Sequence, residues 1–290
     1  MRSDFAVFIL THRRANNVIT YRTLRKHGYT GRIVLLVDDQ DPQQDEYKRL
    51  YGNEVVIFDK EEAARHTDSG DNFGKLNSVI YARNASYGVA QELGLSYFMQ
   101  MDDDYTTFRF TINHLGEYIT RQPSIKSLDR SISYSIDFME SSGFDCVCFS
   151  QGGDFIGGEG SGIYQRFAKG EIPRKAMNSF IFRADSDIRF IGKMNDDVNT
   201  YIRLGSMGKL FGTLVPLRLE QKGTQSQEGG LTDMYLDAGT YVKSFYSVLF
   251  MPSAVTIKPM GNAHKRLHHQ IKWNNVAPKI VSEKWRKALD

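Results

Sequence analysis

The sequence predicts an α/β fold in which a mostly parallel sheet is flanked by helices. The first observation is the run Phe5–Leu10, which consists of apolar residues alone and is typical of a strand buried on both faces. The second is that similar runs recur at 33–37 and 54–58, with stretches of helical character between them. Strand, helix, strand, helix, strand within 60 residues indicates a doubly wound sheet with right-handed crossovers.

The rest of the first half continues this alternation. Gly28 and Gly94 each follow a helical stretch, as glycine often does at a helix C terminus. A short apolar and aromatic run then leads into three consecutive aspartates. The predicted elements are helices at 18–27, 47–50 and 76–93 and a fourth strand at 96–101.

The second half is less regular. A stretch with six glycines, 151–162, is predicted to be a flexible loop, and the polar stretch 220–230 is a candidate mobile lid. The predicted elements are helices at 128–140 and 196–204 and strands at 144–149, 177–182, 210–219 and 247–259.

Composition is that of an ordinary globular chain, with 41% hydrophobic and 24% charged residues among 290. No apolar run approaches the roughly 20 residues that span a bilayer. No signal peptide precedes the first strand, so a cytoplasmic location is expected. Cys146 and Cys148 alternate within one strand, too close for a normal disulfide, and we expect buried thiols.

Charge is distributed unevenly. Residues 258–290 contain eight Lys/Arg and two acids, a net charge of +6, which leaves −3 for the preceding residues. This asymmetry predicts a basic surface beside an acidic body.

The aspartates Asp102, Asp103 and Asp104 lie where the fourth strand ends. Ligands of open α/β sheets bind at the carboxyl ends of the strands. Adjacent carboxylates repel one another, and Mg²⁺ or Mn²⁺ resolves that repulsion, although a solvated acidic turn is the simpler alternative. Neither G-x-G-x-x-G after the first strand nor G-x-x-x-x-G-K-[ST] is present, which argues against a dinucleotide dehydrogenase and a P-loop enzyme.

Two further groups carry chemistry. Asp196 and Asp197 open a predicted helix, where carboxylates suit the helix dipole and capping alone would explain them. A histidine cluster near the C terminus comprises His264, His268 and His269. With the acidic triplet and the nucleotide-binding first half, these groups resemble glycosyltransferases of the GT-A fold, whose D-x-D motif is matched by residues 102–104.

The resemblance implies a donor site for a nucleotide-sugar. Asp104 and Asp102 would bind Mn²⁺ or Mg²⁺, with Asp102 and Asp103 also beside the nucleotide. A C-terminal histidine would supply a further metal ligand. The remaining donor residues would be Thr11, His12 and Arg13 around the nucleotide, Asp38 and Asp39 at the base, and Lys75 near the phosphates, unless Lys75 is only a solvated helix start.

On the acceptor side, the resemblance makes Asp197 the general base, with Asp196 as its neighbour. The ending 266–280 resembles the base J-associated and TET-associated glycosyltransferases, which place sugar on 5-hydroxymethylpyrimidines in DNA. The implied donor is a UDP-sugar carrying glucose or arabinose, and the implied partner is duplex DNA. The basic segment fits a polyanion, and an extruded nucleotide would be held with the help of Tyr105, Phe108, Arg109 and Trp273.

We therefore expect one GT-A domain over 1–290, with a nucleotide-binding half at 1–104 and an acceptor-side half at 105–290. The alternatives are a GT-A enzyme with a saccharide, lipid or protein acceptor, a nucleotidyltransferase, and an inactive DNA- or nucleotide-binding module.

Overall fold

The computed structural model describes residues 1–221, 242–261 and 266–278. A central sheet of eight strands and a separate pair of strands organise them. The central strands are β1 (Phe5–Leu10), β2 (Arg32–Asp38), β3 (Val55–Phe58), β4 (Tyr97–Asp102), β5 (Tyr105–Phe110), β6 (Cys146–Gln151), β7 (Phe180–Arg183) and β8 (Phe211–Gln221), and the separate pair is β9 (Val255–Met260) and β10 (Arg266–Ile271).

Helices cover both faces of the central sheet. Within the described residues they are α1 (Ile19–Lys26), α2 (Gln44–Tyr51), α3 (Lys60–Arg65), α4 (Ile80–Glu92), α5 (Leu128–Ser142), α6 (Gly162–Phe167), α7 (Asp196–Ser206) and α8 (Val242–Phe250). Among these residues, no helix has the length and apolar content needed to cross a membrane.

The strand order is β3-β2-β1-β4-β7-β6-β8-β5. The strands of the first half pair in parallel, β3 with β2, β2 with β1 and β1 with β4. β7 runs antiparallel between β4 and β6, β6 pairs in parallel with β8, and β5 closes the edge antiparallel to β8. This mixed, mostly parallel sheet with flanking helices confirms the predicted fold class.

The apolar runs are strands because both faces of the sheet are covered. Alternate side chains of β1 enter different cores: Phe8 packs in one with Phe98 and the α4 residue Tyr87, whereas Val7 packs in the other with the α5 residue Ile132. A strand buried on both sides shows no polar alternation, which explains the continuous apolar run in the sequence.

Two strand predictions need correction. Residues 247–250 lie in α8, not in a strand, and β9 begins only at Val255. In α8, Ser244 and Ser247 are buried and lie three residues apart, which is helical spacing. The apolar residues around them make the same stretch look like a strand in the sequence. The strand β5, directly after the acidic triplet, was not predicted. Most of the predicted lid, 222–230, lies outside the described residues.

The role predicted for Tyr105 and Phe108 is wrong. Both side chains are fully buried in β5, so neither contacts an extruded nucleotide. Phe108 packs edge-on against the ring of His27, with ring centroids 5.3 Å apart.

His27 joins α1 to β5 through a fixed tautomer. Its Nδ1 lies 2.8 Å from the carbonyl oxygen of Ile125, which can only accept, so Nδ1 carries the proton. Nε2 then accepts, and the Phe108 amide lies 3.5 Å from it. Burial lowers the pKa of His27 below its usual 6.5. If His27 Nε2 were also protonated, its N–H would face the N–H of Phe108, so two hydrogen-bond donors would oppose each other.

A lowered pKa in the folded state means that the unfolded chain binds the extra proton more readily. Stability from His27 is therefore present above pH 6.5 and is lost as the pH falls below that value. We measure the free energy of unfolding with urea at pH 7.5 and at pH 5. We expect its decrease between these two pH values to be smaller for His27→Gln than for the parent. The exposed His114 provides the control His114→Gln, which should keep the parental loss. An unchanged loss in His27→Gln would contradict this assignment.

Candidate active site

The topology brings the ends of β1, β2 and β4 to one edge of the sheet. Leu10 at the end of β1 pairs with Leu36 on one side and with Asp102 on the other. Thr11, Asp38 and the acidic triplet therefore share the carboxyl edge of the parallel strands, as the sequence predicts.

Within the triplet, the middle aspartate turns inward. Asp103 is buried, and its carboxylate accepts hydrogen bonds from Thr11 Oγ1 and Arg14 Nη1, both at 2.7 Å. Thr11 Oγ1 also lies 2.8 Å from the hydroxyl of Tyr47. The protein itself satisfies Asp103, which braces β4 against the segment after β1.

The outer aspartates remain partly exposed. Burial and the charges of Asp102 and Asp103 raise the pKa of Asp104 to about 7. Within the described residues no side chain hydrogen-bonds to or forms an ion pair with the Asp104 carboxylate. Burial also raises the pKa of Asp102, which Arg83 opposes. Partly exposed, mutually repelling carboxylates with free oxygens fit a hard divalent cation.

A second charged group lies at the end of β2. His12 Nδ1 is 2.6 Å from Asp38 Oδ2, and Lys60 Nζ is 3.1 Å from Asp38 Oδ1. Burial acts to raise the pKa of Asp38, but His12 and Lys60 together lower it below its usual value. One ligand atom each from His12, Asp38 and Asp41 lies within 4.8 Å of the others. Because Lys60 already neutralises Asp38, we interpret this group as a hydrogen-bonded frame.

The neighbouring predicted residues belong to the same frame. Arg13 has a positive φ of 56°, and its amide donates to Asp41 Oδ2 at 2.6 Å. Asp39 is exposed, and its Oδ1 accepts the amide of Lys60 at 3.0 Å. Asp38 therefore faces inward and Asp39 outward, so the two acids cannot serve the same role.

The acidic pair Asp196 and Asp197 is buried in the first turn of α7. Arg83, on α4, places Nε 2.9 Å from Asp196 Oδ2, at ion-pair distance but without hydrogen-bond alignment. Burial, together with Asp197 and Asp102, raises the pKa of Asp196 to about 7, although Arg83 opposes this. Asp197 Oδ1 accepts the amide of Val198 at 2.7 Å.

Arg83 also approaches the triplet, since Nη2 lies 3.4 Å from Asp102 Oδ1. The sequence prediction missed this residue. A signal was present, because Arg83 shares the buried stripe of α4 with Tyr87, four residues later. A cation on an apolar stripe requires a buried partner.

The histidines divide between described and undescribed residues. His264 lies outside the described residues, whereas His268 and His269 lie on β10. His269 Nδ1 is 3.2 Å from the side-chain nitrogen Nδ2 of Asn195, the residue before Asp196. Burial, with the charge of His268, lowers the pKa of His269 to about 4. The described residues therefore place His269 beside the acidic pair, and no group of three possible metal ligands among them combines a histidine with Asp102 and Asp104.

Lys75, the predicted phosphate contact, is exposed on the loop 67–79. Hydrogen bonds and an ion pair attach this loop to the turn before α7. Asp71 Oδ1 lies 2.7 Å from Lys193 Nζ, and Asp71 Oδ2 accepts the hydroxyl of Tyr246. The amides of Gly192 and Lys193 donate to carbonyl oxygens of the loop at 2.8 and 2.9 Å.

Gly192 makes this close approach possible. Its φ is +79°, and a Cβ atom there would lie 2.4 Å from Asn199 Nδ2 and 2.7 Å from Phe250 Cε2. Only glycine combines that backbone conformation with that space.

A model of the TET-Associated Glycosyltransferase family matches residues 5–230. The chain belongs to this family. It is therefore a glycosyltransferase by family, and its mostly parallel sheet with flanking helices is the architecture that the sequence predicts. A search of curated proteins found no match.

The solved structures similar to this chain include three that hold a nucleotide or a nucleotide-sugar. Glucosyl-3-phosphoglycerate synthase from Mycobacterium tuberculosis, in complex with Mg²⁺ and UDP, is 10% identical with a TM-score of 0.46, covering 92% of this chain and 87% of that one. S. aureus TarS 1–349 with UDP is 13% identical, with a TM-score of 0.44 and coverage of 86% and 65%. Mannosyltransferase PcManGT from Pyrobaculum calidifontis, with GDP-Man and Mn²⁺, is 12% identical, with a TM-score of 0.48 and coverage of 78% and 59%. These identities are too low to transfer residue roles.

The pinned loop of this glycosyltransferase gives a stability prediction. Lys193→Met leaves the largely buried Asp71 carboxylate without its cation, so we expect a loss of about 3–5 kcal/mol in the free energy of unfolding, measured with urea. Lys209→Met is the matched control, because Lys209 pairs with the exposed Asp187 and should cost below about 1 kcal/mol. Equal losses in the two variants would show that the Asp71 pair does not hold the loop.

Proposed function

We propose that this protein transfers a sugar, glucose or arabinose, from a UDP-sugar to 5-hydroxymethylpyrimidine bases in duplex DNA, with Mn²⁺ or Mg²⁺ as cofactor. One observation carries the proposal. Partly exposed Asp102 and Asp104 flank a buried Asp103, and Arg83 links this group to the buried acidic pair of α7. Carboxylates for a metal-bound donor thus lie close to carboxylates able to accept a proton from an acceptor.

On the donor side, Asp104 and Asp102 would hold the metal. When bound, the metal neutralises the charge that develops on the departing diphosphate. The frame of Thr11, His12 and Asp38 would position the nucleotide, and Lys75 would approach the phosphates.

On the acceptor side, Asp197 suits the general base better than Asp196. Asp196 is paired with Arg83, whereas the described residues give the second oxygen of Asp197 no hydrogen-bond donor. The hydroxymethyl group of the base would give its proton to Asp197 while the hydroxymethyl oxygen forms a bond to the sugar carbon. The bond from that carbon to the diphosphate oxygen breaks, and UDP leaves with the electron pair.

The basic segment 258–290 supports the proposal that DNA is the acceptor. In the described part of that segment, Lys258 and Lys272 are exposed. We propose one domain with a donor half at 1–104 and an acceptor half at 105–290, and the cytoplasmic location stays a prediction.

The reaction is tested with a matrix of donors and acceptors. UDP-glucose and UDP-arabinose are incubated with DNA containing hydroxymethylcytosine, hydroxymethyluracil or neither, with Mn²⁺ or EDTA, and nucleoside masses are read. We expect a glycosylated nucleoside only with a modified base and a metal. Asp104→Asn should lower kcat by about 10²–10³, because it removes charge stabilisation at the leaving group.

The control Asp187→Asn, at an aspartate that is 75% exposed, should turn over normally. Full metal-dependent turnover by Asp104→Asn would sink the metal assignment. If the protein transfers sugar to a saccharide or a protein but not to modified DNA, the proposed DNA acceptor is wrong and the other acceptor takes its place.

DNA binding is tested by its salt dependence. Each phosphate contact contributes a slope of about −0.9 in log K against log salt, so Lys258→Ala with Lys272→Ala should reduce the slope by up to about 2. Lys26→Ala with Lys48→Ala, at exposed lysines of the donor half, should leave it unchanged. Affinity for DNA that does not respond to salt would contradict a basic docking surface.

A further inference from the structure

Arg83 is the described cation that reaches both acidic groups. Its side chain is 4% exposed, and its guanidinium lies 3.4 Å from Asp102 Oδ1 and 2.9 Å from Asp196 Oδ2. Asp102 belongs to the donor carboxylates on β4, and Asp196 belongs to the acceptor pair on α7. One planar group therefore contacts carboxylates that the proposed reaction assigns to different substrates.

The position of Arg83 is fixed on every side. Its Cζ lies 4.9 Å from the ring centroid of Phe180 and 5.2 Å from that of Phe190. Its carbonyl oxygen accepts a hydrogen bond from Gln100 Nε2 on β4 at 2.8 Å. Both the main chain and the guanidinium plane are thus held, which is the condition for a side chain that orients others.

Stability alone explains Arg83 poorly. A buried ion pair recovers its desolvation penalty only with good hydrogen-bond geometry. Within the described residues, Nε and Nη1 of Arg83 and Oδ2 of Asp196 are buried and lack aligned hydrogen bonds. An apolar side chain would pack against the rings of Phe180 and Phe190 without that penalty.

We propose that Arg83 is a positioning residue that fixes Asp102 of the donor site and Asp196 of the acceptor pair relative to each other. The proposal rests on the proposed function for the meaning of the two sites, but the geometry is independent of it. Arg83 contacts carboxylates rather than the reacting atoms, so its effect passes through Asp102 and through Asp196 to the adjacent Asp197.

Lysine distinguishes positioning from charge. Arginine has several N–H donors spread over a planar fork, whereas lysine has one compact ammonium group. Arg83→Lys keeps the positive charge but cannot reach both carboxylates in the same geometry. If only charge mattered, Arg83→Lys would behave like the parent, and the neutral Arg83→Met would bind a cation more tightly because a repelling charge is gone.

The experiment measures Mn²⁺ affinity by calorimetry with UDP present, and sugar transfer at saturating donor and acceptor. We expect Arg83→Lys to bind Mn²⁺ about tenfold more weakly and to lower kcat by about 100-fold, the effect of misplacing reacting groups by about 1 Å. Arg189→Met is the control, because Arg189 lies over the Tyr87 ring at 4.4 Å and donates to main-chain carbonyls. It should stay within about twofold of the parent in both measurements.

The double variant Arg83→Met with Asp196→Asn removes both charges of the Arg83–Asp196 ion pair. Because it leaves no buried charge of that pair without its partner, it can still be measured if a single substitution fails to fold. Its kcat should fall by no more than that of Arg83→Met alone, because the two residues act through one contact. Parental Mn²⁺ affinity and kcat in Arg83→Lys, or independent effects of Arg83→Met and Asp196→Asn, would overturn the proposal. If the parent transfers no sugar, the proposed function fails, while the Mn²⁺ titration still decides the role of Arg83.

Discussion

Repulsion among carboxylates at one edge of the sheet is the constraint on which the rest of this site depends. The strand order places Asp102, Asp103 and Asp104 at this edge, and Arg83 lies between Asp102 and Asp196 of the buried pair on α7. Burial raises the cost of each negative charge, because water no longer screens it. Each acid must therefore find a cation, find hydrogen-bond donors or bind a proton. The neighbouring side chains decide which of these three ways of stabilisation applies to each acid.

Secondary structure alone does not settle that division, since it is made by residues distant in sequence. Arg14 follows β1 and satisfies Asp103, whereas Arg83 lies on α4 and approaches Asp102 and Asp196. Among the described residues no side chain forms an ion pair with Asp104, although the charge of Arg14 acts to lower its pKa. Burial and the neighbouring acids raise its pKa to about 7, as they do for Asp196, but Asp196 lies at ion-pair distance from Arg83, so Asp104 is where an external cation would relieve repulsion.

The sequence predicted the frame of this site because strands buried on both faces leave a strong local signal. Runs such as Phe5–Leu10, followed by helices that end at glycine, define the order of elements, and that order places the triplet at the ligand-binding edge. The contacts across the sheet could not be predicted in the same way. The inward turn of Asp103 depends on Arg14, and the role of Arg83 depends on the approach of α7, both of which are tertiary contacts.

Histidine roles were the least accessible to sequence reasoning for the same reason. His268 and His269 are adjacent in the chain, but only the pairing of β10 with β9 and its packing near α7 decide what they contact. His269 lies against Asn195, whose side-chain nitrogen Nδ2 also donates to the carbonyl of Lys243 at 2.8 Å. Since a carbonyl only accepts, this nitrogen donates to His269 Nδ1 as well, and the neutral ring then carries its proton on Nε2. Spacing in the sequence gives no access to such a tautomer.

The acidic groups share one pattern, in which the protein binds one carboxylate and leaves its neighbour for chemistry. Thr11 and Arg14 satisfy Asp103, while no side chain in the described part of the chain forms an ion pair with Asp104. Arg83 pairs with Asp196, while one oxygen of Asp197 has no donor among the described side chains. When environments separate neighbouring acids in this way, the bound acid orients the strand or helix and the other acid reacts or binds a ligand. The same reasoning explains why a single aspartate at either position would be insufficient: the reactive carboxylate needs a neighbour that fixes the backbone carrying it.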